Sequence, residues 1–599
     1  MTMTGEERDQ AAADVAWDLE PLVEGGAAGV DALLDRADRA ADELTGLKGR
    51  LAELGAGELA DAMRRFAELE ELLGRAGSYA GLRFAVDTAE PANGALMQRV
   101  QERSTAVGTR LLFFELEWAA LPDEAAEALL ADPGLAFCAH HLRSARRYRA
   151  HLLSEPEERI LSEKSLTGAS AWSRLFGELS AAIEAPLPER TVKLEEALSL
   201  LSHPDRTMRR QAADAVTAGL APGLRTRAFI FNTLLNDKAI DDRLRSYPSW
   251  ISSRNLANEA SDSSVEALVE AVVGRYDIPQ RWYRLKAQIL GLDRLADYDR
   301  MASVAEAEAA FGWRAAREVV LDSYASFSGE LAEVAQRFFD EGWIDAPVRP
   351  AKRPGAFCAY TVPSHHPYVL LNWTGKRRDV LTLAHELGHG VHAYLSRPQG
   401  VFHMGTPLTL AETASVFGET VTFGRLLEAT GDPAERLSLL AESVEGAIAT
   451  VFRQTAMNRF EHSVHTARRQ EGELSVERFG ELWAASQEAM LGDSVEVTEG
   501  YRTWWSYIPH FINTPGYVYA YAYGQLLALS VYRRYEEGGA AFVPRYLELL
   551  AAGGSRAPEE LGALVGCDLA DPGFWDGGLA IVEAQLQAAE AAARAAGRV

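Results

Sequence analysis

The pentapeptide His385-Glu386-Leu387-Gly388-His389 constrains this chain more than any other feature. On a helix its two histidines can serve one partner. Positions four apart on a helix lie about 40° apart on one face, one turn above the other. The surrounding sequence supplies that helix. Over residues 379–395, Ala384, Leu387, Val391 and Leu395 form an apolar stripe at three- and four-residue steps, and the histidines lie off it. Two imidazoles so placed suit one zinc ion. Glu386, beside the first histidine, reaches a water on that metal as general base without being a ligand.

A catalytic zinc takes three protein ligands and keeps one position open. A third histidine six residues beyond His389 would fall at Leu395, so that arrangement is excluded. A glutamate on a following helix is the alternative. Glu412 lies in Leu410-Ala411-Glu412-Thr413-Ala414-Ser415, after the break Gly405-Thr406-Pro407, and Glu419 follows two turns later on the same face. Either carboxylate can be the ligand, leaving the other to orient a ligand histidine. His392 sits near His389 on the helix and reads as a supporting histidine, since a fourth ligand would close the open position.

A tetrahedral intermediate also needs donors for its oxyanion. Residues 501–524 are dense in them: Tyr507, His510, Tyr517, Tyr519, Tyr521 and Tyr523. Tyrosines alternating from 517 to 523 after Pro515-Gly516 predict a flexible loop rather than a helical stripe. Phenols there can donate hydrogen bonds and pack on substrate. Upstream, Ala356-Phe357-Cys358-Ala359-Tyr360 and Tyr368-Val369-Leu370-Leu371-Asn372 flank Pro363-Ser364-His365-His366-Pro367 and read as a small hairpin. A strand edge beside a metal would align an extended peptide through its backbone.

The rest reads as helix. Stretches such as 51–73 and 195–220 mix Ala, Leu, Glu and Arg at helical spacing, with Gly and Pro between such stretches. Glu184-Ala185-Pro186-Leu187-Pro188-Glu189 and Asp345-Ala346-Pro347-Val348-Arg349-Pro350 read as linkers, and the Ala-rich tail 579–596 as a terminal helix. With 599 residues, 47% apolar and 24% charged, collagen-like and disordered classes are excluded. No apolar run approaches the roughly 18 residues of a membrane span. Residues 1–10 lack the pattern of a secretory leader. A net charge of −26 repels nucleic acid and anionic membranes. Three cysteines, Cys138, Cys358 and Cys567, with no CxxC, exclude a disulfide framework and point to a reducing cytoplasm.

His385-Glu386-Leu387-Gly388-His389-Gly390-Val391-His392, preceded by Pro367-Tyr368-Val369-Leu370-Leu371-Asn372-Trp373-Thr374-Gly375, resembles the M3 family of zinc oligopeptidases, in its oligoendopeptidase F branch. Ala411-Glu412-Thr413-Ala414-Ser415 with Glu419 is similar to the family's third-ligand helix. Ile508-Pro509-His510-Phe511-Ile512-Asn513-Thr514-Pro515-Gly516-Tyr517-Val518-Tyr519 is similar to its substrate loop. Leu200-Leu201-Ser202-His203-Pro204-Asp205-Arg206 and Arg210 are similar to an upstream landmark. The chain departs from common relatives at Gly516, where a bulky aromatic is frequent, and at Val416-Phe417-Gly418. Those departures bear on pocket shape, not on the metal site.

The resemblance implies a mainly α fold: a two-lobed helical zincin of the gluzincin kind, with a deep substrate channel and a small hairpin or sheet beside the active-site helix. It implies a lid-like N-terminal helical domain over 1–190 and a catalytic domain over 191–599. It also implies one zinc per chain on His385, His389 and Glu412, with Glu386 as base and Glu419 and His392 in support. His510 and Tyr517 would act on the oxyanion or substrate, and Tyr519 and Tyr521 would hold substrate. The expected reaction is internal cleavage of short peptides, with no nucleic-acid or membrane partner. A dipeptidyl carboxypeptidase or carboxypeptidase on the same scaffold is the rival, and a non-catalytic peptide-binding scaffold a more distant one.

Overall fold

The computed structural model describes residues 12–165, 167–304, 310–569, 571 and 573–599. The leader reading of residues 1–10 therefore lies outside the described residues. The chain divides into two compact units, each assembled from three stretches. Met1–Ala150, Glu308–Glu428 and Val531–Asp568 form one. His151–Ala307, Ala429–Ser530 and Leu569–Val599 form the other. Residues 190 and 191, where two domains were expected to meet, both lie within the second unit. Among the described residues no helix is long and apolar enough to cross a membrane.

In the first unit three long helices, Gly26–Thr45, Ala56–Val86 and Pro91–Ala120, pack together. Gly26–Thr45 buries Val30, Leu33, Leu34, Ala37, Ala41 and Leu44, one face at helical spacing. Its other face carries Asp38, paired with Arg103 and Arg110 across the helix bundle. Tyr368 joins this core and ties it to a three-stranded sheet.

In that sheet Tyr368–Trp373 is the central strand, parallel to Ile344–Pro347 and antiparallel to Phe357–Ala359. The register places Phe357 opposite Leu370, Cys358 opposite Val369 and Ala359 opposite Tyr368. Tyr368 to Leu371 are buried without alternation, as a central strand covered on both faces requires. The expected hairpin thus exists with its first strand shortened. The expected linker at 345–350 is corrected, because it begins as an edge strand. There Asp345 is buried and holds the Lys352 ammonium at 2.6 Å. Pro347, the last residue of that strand, fits an edge, where one row of amides needs no partner.

In the second unit the stretch 184–189 is likewise no linker. Glu184–Pro186 pairs with Thr191–Lys193 in an antiparallel ribbon. Aromatic rings fill the centre of this unit: Phe231 stacks on Phe479 at 5.1 Å and on Phe511 at 6.1 Å. In the upstream landmark the buried arginine is Arg209. Arg209 is buried against Asp299 at 2.9 Å and donates to the carbonyls of His203 and Pro204, while Arg206 takes the other Asp299 oxygen at 2.9 Å. The tail forms the helix Phe574–Ala595, packed on Pro433–Ala447.

Candidate metal centre

The helix Arg377–Ser396 carries both histidines of the pentapeptide. Asp379 starts it: its carboxylate accepts from the Thr374 amide at 2.7 Å, the Thr374 hydroxyl at 2.8 Å and the Lys376 amide at 3.1 Å. The last of these satisfies a donor that the helix start leaves unpaired, and the other two fix the turn before it. Val380, Leu383, Ala384, Leu387 and Val391 are buried, which turns His385 and His389 to another face.

The helix Leu408–Ala429 brings the carboxylates. The two helices approach very closely at Gly388 and Gly418. A Cβ on Gly388 would stand 2.6 Å from the Ser415 Cα and nearer still to the Ala414 carbonyl oxygen. A Cβ on Gly418 would stand 2.8 Å from the Tyr324 ring, whose hydroxyl donates to the Ala384 carbonyl at 2.7 Å. That contact gives a physical reason for the unusual Gly418.

At this crossing His385, His389 and Glu412 present one donor atom each, all within 4.8 Å of one another. Glu412 Oε2 stands 3.3 Å from His385 Nε2 and 3.6 Å from His389 Nε2. Glu419 Oε2 stands 3.0 Å from Nδ1 of His385, the ring nitrogen facing away from that cluster. Two imidazoles and a carboxylate at this separation form a donor set suited to a borderline cation such as zinc. Ser415 donates to Glu412 Oε2 at 2.6 Å, a contact the sequence reading missed; it sits at the i+3 position of the same helix.

The charges are strongly coupled. At His385 burial opposes the imidazolium, but the Glu412 and Glu419 carboxylates outweigh it and hold the pKa well above the usual value. Burial drives His389 down to about 4 and His392 to about 3. Burial also opposes ionisation of Glu412, yet the hydrogen bond from His385 and the charges of both histidines bring its pKa to about 2. Glu386 is buried and makes no ion pair among the described residues. Burial lifts its carboxyl to about 7, with Glu412 and Glu419 adding to the rise and His385 opposing it. A carboxyl poised there suits proton transfer near neutral pH. His392 is buried outside the donor cluster. Tyr360 and Cys358 also border the site: each is pushed far up, chiefly by burial, and each feels the Glu386 charge.

The remaining residues singled out in the sequence lie in the second unit. His510 opens the short helix His510–Asn513. Its neighbours Phe511 and Ile512 enter the aromatic core, while His510 stays half-buried and accepts or donates at 3.2 Å to the Tyr521 hydroxyl. Burial and the nearby Arg453 lower its pKa, which favours the neutral ring. Tyr517 lies parallel to the His510 ring at 6.3 Å and edge-on to Tyr521 at 5.1 Å. His510, Tyr517 and Tyr521 therefore form one cluster. The expected loop over 517–523 is corrected: a helix starts at Tyr519. Helical geometry then separates the alternating tyrosines. Tyr519 and Tyr523, one turn apart, are buried, and Tyr521 faces elsewhere. Tyr519, expected to hold substrate, accepts a hydrogen bond from Asn258 at 2.9 Å inside its own unit.

Comparison with known proteins adds independent findings. The family model described as Peptidase family M3 matches residues 199–581, and one described as Oligopeptidase F matches residues 117–184. Oligopeptidase PepF of Bacillus subtilis is 27% identical, over 94% of this chain and 85% of that protein. An oligoendopeptidase F homolog of Lactococcus lactis is 26% identical, over 86% of each chain. A Chlamydophila abortus crystal structure shares the fold with a TM-score of 0.86 at 23% identity, covering 96% of this chain and 98% of that one.

Proposed function

The chain belongs to peptidase family M3 and is a metallopeptidase, and on that premise we propose that it is a zinc-dependent oligoendopeptidase that cuts internal bonds of short peptides. The observation that carries the reading is the convergence of His385, His389 and Glu412, with Glu386 adjacent on the helix. Zinc, held by those three side chains, would supply Lewis acidity and make water a stronger nucleophile at neutral pH. Glu386 takes the proton from the attacking water as the oxygen–carbonyl carbon bond forms. It then delivers that proton to the amide nitrogen as the carbon–nitrogen bond breaks, so the carboxylate is regenerated. Glu419 fixes the orientation of His385 through Nδ1, and His392 packs behind the ligands.

Tyr517 and His510 donate hydrogen bonds to the substrate oxygen that gains charge in the transition state, and Tyr521 holds both rings in place. The contacts within that trio and the family likeness of residues 508–519 support these roles. Residues 191–599, within which the family match over 199–581 falls, carry all the proposed catalytic and metal-binding side chains. Short peptides are the substrates, and three free cysteines suit a cytoplasmic setting.

Mass spectrometry of products from a pool of short peptides and one folded protein, with and without chelator, tests the reading. Internal, chelator-sensitive cuts confined to the short peptides are expected. Products trimmed from one end only would assign an exopeptidase, and no cuts would assign a binding scaffold.

A further inference from the structure

The turn that delivers Tyr517 is held from three sides within the second unit. Gly516 has φ 73°, the left-handed region that favours glycine. Its amide donates to Oε1 of Glu461 at 2.8 Å. The preceding carbonyl, of Pro515, accepts from Arg254 Nε at 3.3 Å. Trp250 and the Arg254 stem line the turn, each 3.4 Å from where a Cβ on Gly516 would stand, an ordinary packing distance. The next residue is Tyr517, whose ring meets His510 and Tyr521.

Glu461 is a costly residue to place there. It is 1% exposed on the helix Arg453–Glu471, and its second oxygen, Oε2, has no hydrogen-bond partner among the described residues. Burial lifts its carboxyl to about 8, against the opposing pull of the Gly516 amide and Arg254. An apolar side chain would fill the space at lower cost. What the carboxyl alone supplies is an acceptor aimed at one backbone amide, one residue before the phenol. Displacing a catalytic group by about 1 Å can cost roughly 100-fold in rate, so a fixed turn has value there.

We propose that Glu461, with Arg254, is a positioning residue for Tyr517: it fixes the Gly516 peptide and thereby sets where the Tyr517 phenol stands. The inference rests on the reading that Tyr517 acts on the substrate. The oligopeptidase assignment does not depend on it.

The test uses zinc-loaded full-length protein and a fluorogenic short peptide. Glu461→Ala is expected to lower kcat roughly 10- to 100-fold, with KM changed less than about threefold. Glu461→Gln, which keeps an oxygen acceptor, is expected to recover kcat to within about threefold of wild type. In a Tyr517→Phe background Glu461→Ala is expected to cost less than about twofold more, because both act through one phenol. Arg254→Met, which removes the hydrogen bond to Pro515 and the charge near Glu461, gives the same signature if Glu461→Ala fails to fold. Amide exchange at 514–518 should quicken in Glu461→Ala and not in Glu461→Gln. A normal kcat in Glu461→Ala beside a slowed Tyr517→Phe overturns the inference and leaves the Tyr517 role intact. Full additivity of the two substitutions overturns it as well. A normal kcat in Tyr517→Phe overturns the Tyr517 role itself, and unchanged exchange in Glu461→Ala then overturns the anchoring too.

Discussion

Gly388, between the two histidines of the pentapeptide, lies directly against the backbone of Ala414 on the helix that carries Glu412. The glycine is there because no side chain fits, and the close approach is what lets one carboxylate oxygen reach both imidazoles. Gly388→Ala is therefore expected to push the helices apart. The overpacking should cost about 1–3 kcal/mol of stability and weaken zinc binding. Thermal unfolding and a zinc titration check it; normal metal affinity would show that the crossing does not set the site.

Glu386 makes no contact that would be needed to hold the metal. Glu386→Gln is expected to keep zinc at full stoichiometry, by elemental analysis, and to lower kcat by about 10²- to 10⁴-fold. Normal turnover in that variant would move the general-base role elsewhere.

Glu419 touches His385 on the nitrogen that faces away from Glu412. Glu419→Ala should lower zinc affinity by about 10- to 100-fold while leaving a folded protein, since the ligand loses its orienting partner. His385→Ala, which removes the donor itself, should abolish both metal binding and activity. Competition with a chelator of known affinity ranks the two; equal losses would make Glu419 a ligand in its own right.

The buried carboxyl of Glu461 makes stability depend on pH with a defined sign. Its ordinary value is 4.5 and burial raises it to about 8 in the folded protein. Between those values the folded chain holds a proton that the unfolded chain has released. Stability from this group is thus complete below about pH 4.5 and is lost as pH rises towards 8, at up to about 1.4 kcal/mol per unit. Glu461→Gln, which stays neutral, should flatten that slope. Urea unfolding of both proteins from pH 5 to 8 measures it, and parallel slopes would show that Glu461 ionises normally.

Much of the chemistry was legible along the chain because it is local. The spacing of His385 and His389 and the stripe from Ala384 to Leu395 both demand a helix, and Arg377–Ser396 is one. The two false linkers share one cause: proline at 186 and 347 reads as a break, yet at a sheet edge it costs no ladder bond. The tyrosines failed for a different reason. Their alternation suggested a loop, but tertiary burial of Tyr519 and Tyr523 made one helical face of two of them and left Tyr521 to the His510 cluster.

The sequence by itself determined the helix that bears the histidines, the base beside them and the donor types, because a helix fixes the relative placement of residues within one turn. Only the tertiary structure decided which oxygen faces which nitrogen: Glu412 towards Nε2 of both histidines, Glu419 towards Nδ1 of one. Those positions depend on how two helices cross, and the crossing is set by what Gly388 and Gly418 lack rather than by any side chain written in the motif.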